Sequence, residues 1–293
     1  MRKYILISFL FVAFGLKAQQ LPQFTQYMLN DYVLNPAIGG SKSHFIAQGN
    51  QRMQWVGVTD APRTFVFSLH GPLQSQKVGL GGFIFSDITG PTRRTGAKFS
   101  YAYHFKVSDK IKMGLGLSAG VLQFILDGSK LDLAVQNDLA LSNAQQSVVV
   151  PDAAAGLYLY SDDFFVSLSA PQLINTKLQF FEDYENTLSR LAQHYYGMAG
   201  YNFRISEFLI QPSVLVKFVD PLIQFEGGLK VEYDELIWLG GNFRQDDGLG
   251  VMLGYNINQN FSFAYSYDIP LYSYSRYSNG SHEVVLRINF LER

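Results

Sequence analysis

From about residue 43 onward, apolar and polar residues alternate with the period of two that marks strands. The clearest stretch sets Ala97, Phe99, Tyr101, Tyr103 and Phe105 against Gly96, Lys98, Ser100, Ala102 and His104. After the turn Ser108-Asp109-Lys110, Ile111, Met113, Leu115, Leu117, Ala119 and Val121 alternate with Lys112, Gly114, Gly116, Ser118 and Gly120. One face is apolar and aromatic, the other small or polar. In the last such stretch, 283–290, Val284, Leu286, Ile288 and Phe290 oppose Glu283, Arg287 and Asn289, and only Val285 spoils the polar face. An amphipathic strand ending in an aromatic, close to a C-terminus, is how an outer-membrane barrel finishes.

The pattern predicts fourteen strands, at 43–55, 63–71, 77–87, 95–107, 111–126, 152–160, 164–170, 194–204, 208–219, 223–233, 236–244, 249–256, 261–268 and 282–290. The expected fold is therefore all-β, an antiparallel transmembrane β-barrel over 43–293. Counting back from a last strand that descends to the periplasm sorts the connections. The long stretches 127–151 and 171–193 fall outside with 269–281, and short turns such as 108–110 and 161–163 fall inside, as this architecture requires. Residues 19–42 lack the strand period. They are expected to form a periplasmic plug or docking segment with helical character over 23–30.

Composition narrows the class. Met1-Arg2-Lys3, the apolar run 4–16 and the small Ala18 read as a signal peptide over 1–18, with a mature start near Gln19. No later stretch approaches the roughly 20 apolar residues of a spanning helix, so any span must be made of strands. Aromatics make up 15% and charged residues 16%, the latter well below the roughly 25% of a soluble domain. A secreted β-sandwich would have to leave many of those aromatics in water. The net charge of −1 points to no nucleic acid. The absence of cysteine excludes disulfides, thiolate metal sites and a lipid-modified N-terminal cysteine.

Little in the chain suggests chemistry. His44, His70, His104, His194 and His282 lie on separate strands without metal-ligand spacing, so no metal site is expected. Asp162-Asp163 and Asp246-Asp247-Gly248 read as turns. Gly114-Leu115-Gly116 lies within a strand and is no nucleotide loop. No catalytic set and no cofactor site is recognisable. Lys98, Lys112, Arg204, Lys217, Glu226, Lys230, Glu232, Arg244 and Arg287 are placed mostly inward, because a charge facing lipid costs about 2–4 kcal/mol at mid-depth. They either pair across the lumen or line a polar channel. Glycines 114, 116, 120, 228, 240 and 254 on the same face leave room for something to enter.

The motifs outside the strands resemble the PorP/SprF family of Bacteroidetes outer-membrane proteins. They are Gln23-Phe24-Thr25-Gln26-Tyr27-Met28, Asn35-Pro36-Ala37 with Gly39-Gly40, Gln54-Trp55-Val56-Gly57 and His70-Gly71-Pro72-Leu73, with Ser266-Tyr267-Asp268-Ile269-Pro270-Leu271 near the end. The resemblance implies a place in type IX secretion and gliding motility at the cell outer membrane. The partner would be a cell-surface adhesin or its C-terminal sorting domain, or the periplasmic ring proteins of the secretion machine. The candidate partner-binding residues are Gln23, Phe24, Tyr27, Asn35, Pro36 and Trp55. The motive for the segment is physical: Phe24, Tyr27 and Met28 are costly to leave in water, each worth about 1.5–3 kcal/mol when buried. The rival reading is a fourteen-stranded transporter or channel for small molecules.

Overall fold

In the computed structural model, residues 21–130, 145–178, 189–271 and 278–292 are described. The expected signal peptide lies outside them, as do the central parts of the two longest connections. Fourteen barrel strands follow in order: β1 Phe45–Met53, β2 Arg63–Pro72, β3 Val78–Thr89, β4 Thr92–Lys106, β5 Lys112–Asp127, β6 Gln145–Tyr160, β7 Phe164–Gln172, β8 His194–Tyr201, β9 Phe208–Val219, β10 Leu222–Tyr233, β11 Ile237–Arg244, β12 Gly248–Asn256, β13 Phe261–Pro270 and β14 Ser281–Phe290. Phe203–Ile205 continues β8 beyond Asn202, since both pieces pair β9 in one register, from Tyr195↔Phe218 to Ile205↔Phe208. Every neighbour is antiparallel, and β1 pairs β14 from Phe45↔Phe290 to Met53↔His282, which closes the barrel. Among the described residues no helix is long and apolar enough to cross a membrane; the crossing is made by strands.

Alternation does what the sequence demands. Phe99, Tyr101, Tyr103 and Phe105 are exposed on the outer wall, while Ser100, Ala102 and His104 are buried in the lumen. The exception on β14 has a purpose. Val285 is buried with Trp238, Met252 and Ala264, and this apolar patch of the lumen receives Leu29.

Two expectations need correction. Strand β6 begins at Gln145, not 152, because 145–151 pair with 121–127 of β5. Pro151 is tolerated there because its carbonyl, and so its missing N–H, faces Thr176 rather than β5. Residues 23–30 are not helical. The Gln26 carbonyl closes turns with the N–H groups of Leu29 (3.0 Å) and Asn30 (3.1 Å). One helical turn follows at Asp31–Leu34, then a 3-10 turn at Pro36–Ile38.

The connections sort by end. The turns at 73–77, 107–111, 161–163, 206–207, 234–236 and 257–260 gather at the end where β1 starts and β14 stops. The opposite end carries the short turns 90–91, 220–221 and 245–247 and all the long connections, 54–62, 173–193, 271–280 and that from β5 to β6. The end that holds every long connection is the outer one, and the end with short turns alone is periplasmic.

A lumen filled by the chain's own start

Of the two places expected for this segment, a plug or a dock, residues 24–38 lie inside the barrel. Leu21 begins at the outer end, where its N–H donates to His194 Nε2 (3.3 Å). The chain then descends, and Gly39–Gly40 reach the periplasmic half, where His104 Nε2 bonds the Gly39 carbonyl (2.8 Å). A charged clasp near the outer mouth holds its upper part. Glu283 on β14 accepts the Thr25 N–H (2.7 Å) and an Arg52 guanidinium N–H (3.1 Å). Arg52 also donates to the Thr25 hydroxyl (2.6 Å) and pairs with Asp268 (2.5 Å). Arg244 donates to the Phe24 carbonyl (3.3 Å) while pairing with Glu226 (3.0 Å) and Asp247 (2.6 Å). Lys217 approaches Glu226 at 3.5 Å. Lys217, Glu226 and Arg244 thus link with Arg52, Asp268 and Glu283 in one network that grips residues 24–26, while Lys98 pairs with Asp152, Lys230 with Glu232, and Arg287 donates to the Leu29 carbonyl. Lys112 and Arg204 stand apart, exposed at the periplasmic rim.

Below the clasp the packing turns apolar. Phe24, Tyr27, Tyr32, Leu34, Ala37 and Ile38 form one core with Val66, Tyr158, Tyr196, Met198 and Leu215 of the wall. Tyr27 donates to Ser213 Oγ (2.6 Å), which itself donates to Met28 Sδ (3.1 Å). Tyr32 stacks on His70 at 4.1 Å between ring centroids and bonds Ser100 Oγ (2.6 Å). Burial pushes the Tyr27 phenol up, with Ser213 opposing, and takes Tyr32 to about 12; both remain neutral. Burial also raises the Asp31 carboxyl, against the pull of Arg287 and Lys42. The Asn35 amide donates to Ser167 Oγ (2.8 Å) and to the Leu157 carbonyl (2.9 Å), while its oxygen accepts the Ala37 N–H (2.8 Å).

The lumen glycines now have an occupant. A Cβ on Gly116 would overlap the backbone nitrogen of Ala37, and one on Gly156 the Asn35 amide oxygen. On Gly228 it would stand 2.9 Å from the Tyr27 hydroxyl. The room predicted from sequence is taken by residues 27–37 themselves. Gly120, Gly240 and Gly254 instead admit the Ala97 carbonyl, Met252 and Trp238 of the wall.

Of the six candidate residues, Phe24 (4% exposed), Tyr27 (1%) and Asn35 (0%) are buried in the lumen with Pro36. Gln23 and Trp55 open onto an outer vestibule of about 640 Å³, shared with Leu21, Pro22, Arg94 and His194. Trp55 is held in the left-handed region (φ 48°), its N–H donating to Ser281 Oγ (3.2 Å). A second, polar vestibule of about 1200 Å³ lies at the periplasmic end, lined by Lys42, His44, Lys230, Glu232, Arg287 and Asn289 among others. Residues 21–44 separate the two. Sequence reasoning missed His70, His104 and His194 as groups that meet the segment; no spacing rule could have paired them with it. Among the described residues no cluster of His, Asp and Glu suits a metal.

Single cysteines will report this arrangement, since the chain has none of its own. Leu21→Cys and Val58→Cys are expected to react with a membrane-impermeant maleimide on intact cells. Asp162→Cys should react only after permeabilisation. The reverse pattern would invert the barrel.

A closed antiparallel barrel with a lipid-facing apolar wall, short turns at one end and a filled polar lumen defines an outer-membrane β-barrel protein. The family described as type IX secretion system membrane protein PorP/SprF matches residues 16–288, and the chain belongs to it. No curated protein matches the sequence. Among solved structures, the TodX deltaS2S3 mutant monoaromatic hydrocarbon channel is 8% identical, with 89% of this chain and 94% of that chain covered and a TM-score of 0.54. A Pseudomonas aeruginosa FadL homologue is 10% identical over 93% of this chain and 94% of that one, at 0.49. Omp33 of Acinetobacter baumannii is 9% identical over 86% and 100%, at 0.48. At 8% identity the likeness to the TodX mutant is one of fold.

Proposed function

We propose that this barrel works in type IX secretion and gliding by holding a partner cell-surface protein, an adhesin or its C-terminal sorting domain, at the outer mouth. The role is structural rather than catalytic. The observation that supports it is the filled lumen, which leaves the outer vestibule, with Gln23 and Trp55, as the accessible part of the candidate site. Phe24, Tyr27, Asn35 and Pro36 would then act indirectly, by fixing where Gln23 stands. A dock for the periplasmic ring proteins would instead use the lower vestibule around Lys42 and Lys230.

The test is Gln23→Ala with Trp55→Ala. The barrel should assemble normally while the partner is shed into the medium. Normal surface retention by this variant would sink the outer-mouth reading. A small-molecule channel is the second reading, favoured by the two vestibules and by the fold shared with a hydrocarbon channel. Steady conductance of the unaltered protein in planar bilayers would favour that reading over the first.

A further inference from the structure

The barrel wall is irregular where β6, β7 and β8 meet. Tyr196 faces Ser169, yet His194 faces Gln172, so β7 carries an extra residue at Ala170–Pro171. On its other side, regular pairing with β6 ends at Ala155↔Ala170. It resumes only with the Leu173 N–H and the Ala153 carbonyl (2.9 Å). Pro171 has no N–H to offer either neighbour.

On the lipid side this region forms a trough of about 720 Å³. Exposed Tyr101, Leu117, Leu157, Leu168 and Tyr195 rim it, and the small Ala155 and Ala170 form its floor. The floor reaches the backbone of Gly116, Gly156 and Ser169. From inside, the same residues carry the lumen segment. Ala37 presses on Gly116 and Asn35 on Gly156, and Ser169 Oγ donates to the Leu34 carbonyl (2.7 Å). A single layer of strand backbone therefore separates the trough from residues 34–37.

We propose that the trough is a binding site for one acyl chain of a bilayer lipid, its floor braced from within by Asn35 and Ala37. The trough is continuous with the lipid-contacting wall, and no charged side chain lines it, so a charged peptide or a headgroup finds no counter-charge there. A hydrocarbon chain matches the apolar rim, and the volume falls within the roughly 300–1,000 Å³ of small-molecule pockets. The site stands independently of the proposed docking role.

Native mass spectrometry of the full-length barrel, extracted from outer membranes in mild detergent, tests it. The unaltered protein should carry a retained lipid. Ala155→Phe with Ala170→Phe, which fills the trough, should lose it, as should the milder Ala170→Leu if the double variant fails to fold. Val251→Phe, on the exposed outer wall of β12, should keep the lipid. Absence of lipid on the unaltered protein, equal retention by the filled variants, or a bound polypeptide in its place would overturn the proposal.

Discussion

Glu283→Ala is expected to loosen the lumen segment and lower the stability of the whole barrel. The carboxylate is fully buried and accepts from Arg52, from the Asn50 amide (2.8 Å) and from the N–H groups of Thr25 and Gln26. Its removal leaves Arg52 with Asp268 as its one remaining carboxylate, and strips two backbone donors of their acceptor. Breaking a buried pair from one side costs about 3–5 kcal/mol. The loss should appear as a lower urea midpoint for the heat-modifiable, folded form. The companion variant Arg52→Ala with Glu283→Ala should cost less than the sum of its parts, because neither charge is then left alone. An unchanged midpoint, or strict additivity, would show that the clasp does not hold the segment.

Gly156→Val should open the lumen. The added side chain needs the place of the Asn35 amide, and Asn35 anchors the segment to β6 and β7. Overpacking of this kind costs about 1–3 kcal/mol, less than unfolding a barrel, so the strain should be relieved by expelling residues 34–38. Planar bilayers should then show conductance steps that the unaltered protein lacks. Gly227→Val is the control, since a Cβ there meets nothing within 4 Å. If Gly156→Val assembles and stays closed, or if Gly227→Val opens equally, the segment is not what shuts the pore.

The wall was legible because its side chains answer to two solvents, lipid and lumen, and so carry a strict period. All fourteen strands could be placed, and the sorting of connections by length agreed with the closed ring. The start of β6 was missed because Val148, Val149 and Val150 blur the alternation and Pro151 reads as a break. The path of residues 21–44 was not legible. Phe24, Tyr27 and Met28 announce burial without saying against what, and their partners Ser213, Tyr196 and Leu215 lie far along the chain. The lumen glycines were the nearest signal. They showed that space existed, but not that the chain's own start would fill it.

The clasp also bears on how the molecule is made. Arg52 and Glu283 stand opposite one another across the seam between the first and last strands, and Thr25 bridges them from within. Because Thr25 bonds both strands of the seam, residues 21–44 are expected to seat while the ring is still open, with the last strand pairing over them. The segment is in this sense the mandrel around which the cylinder is wound, and a chain that failed to seat it would present the assembly machinery with a seam lacking two of its buried contacts.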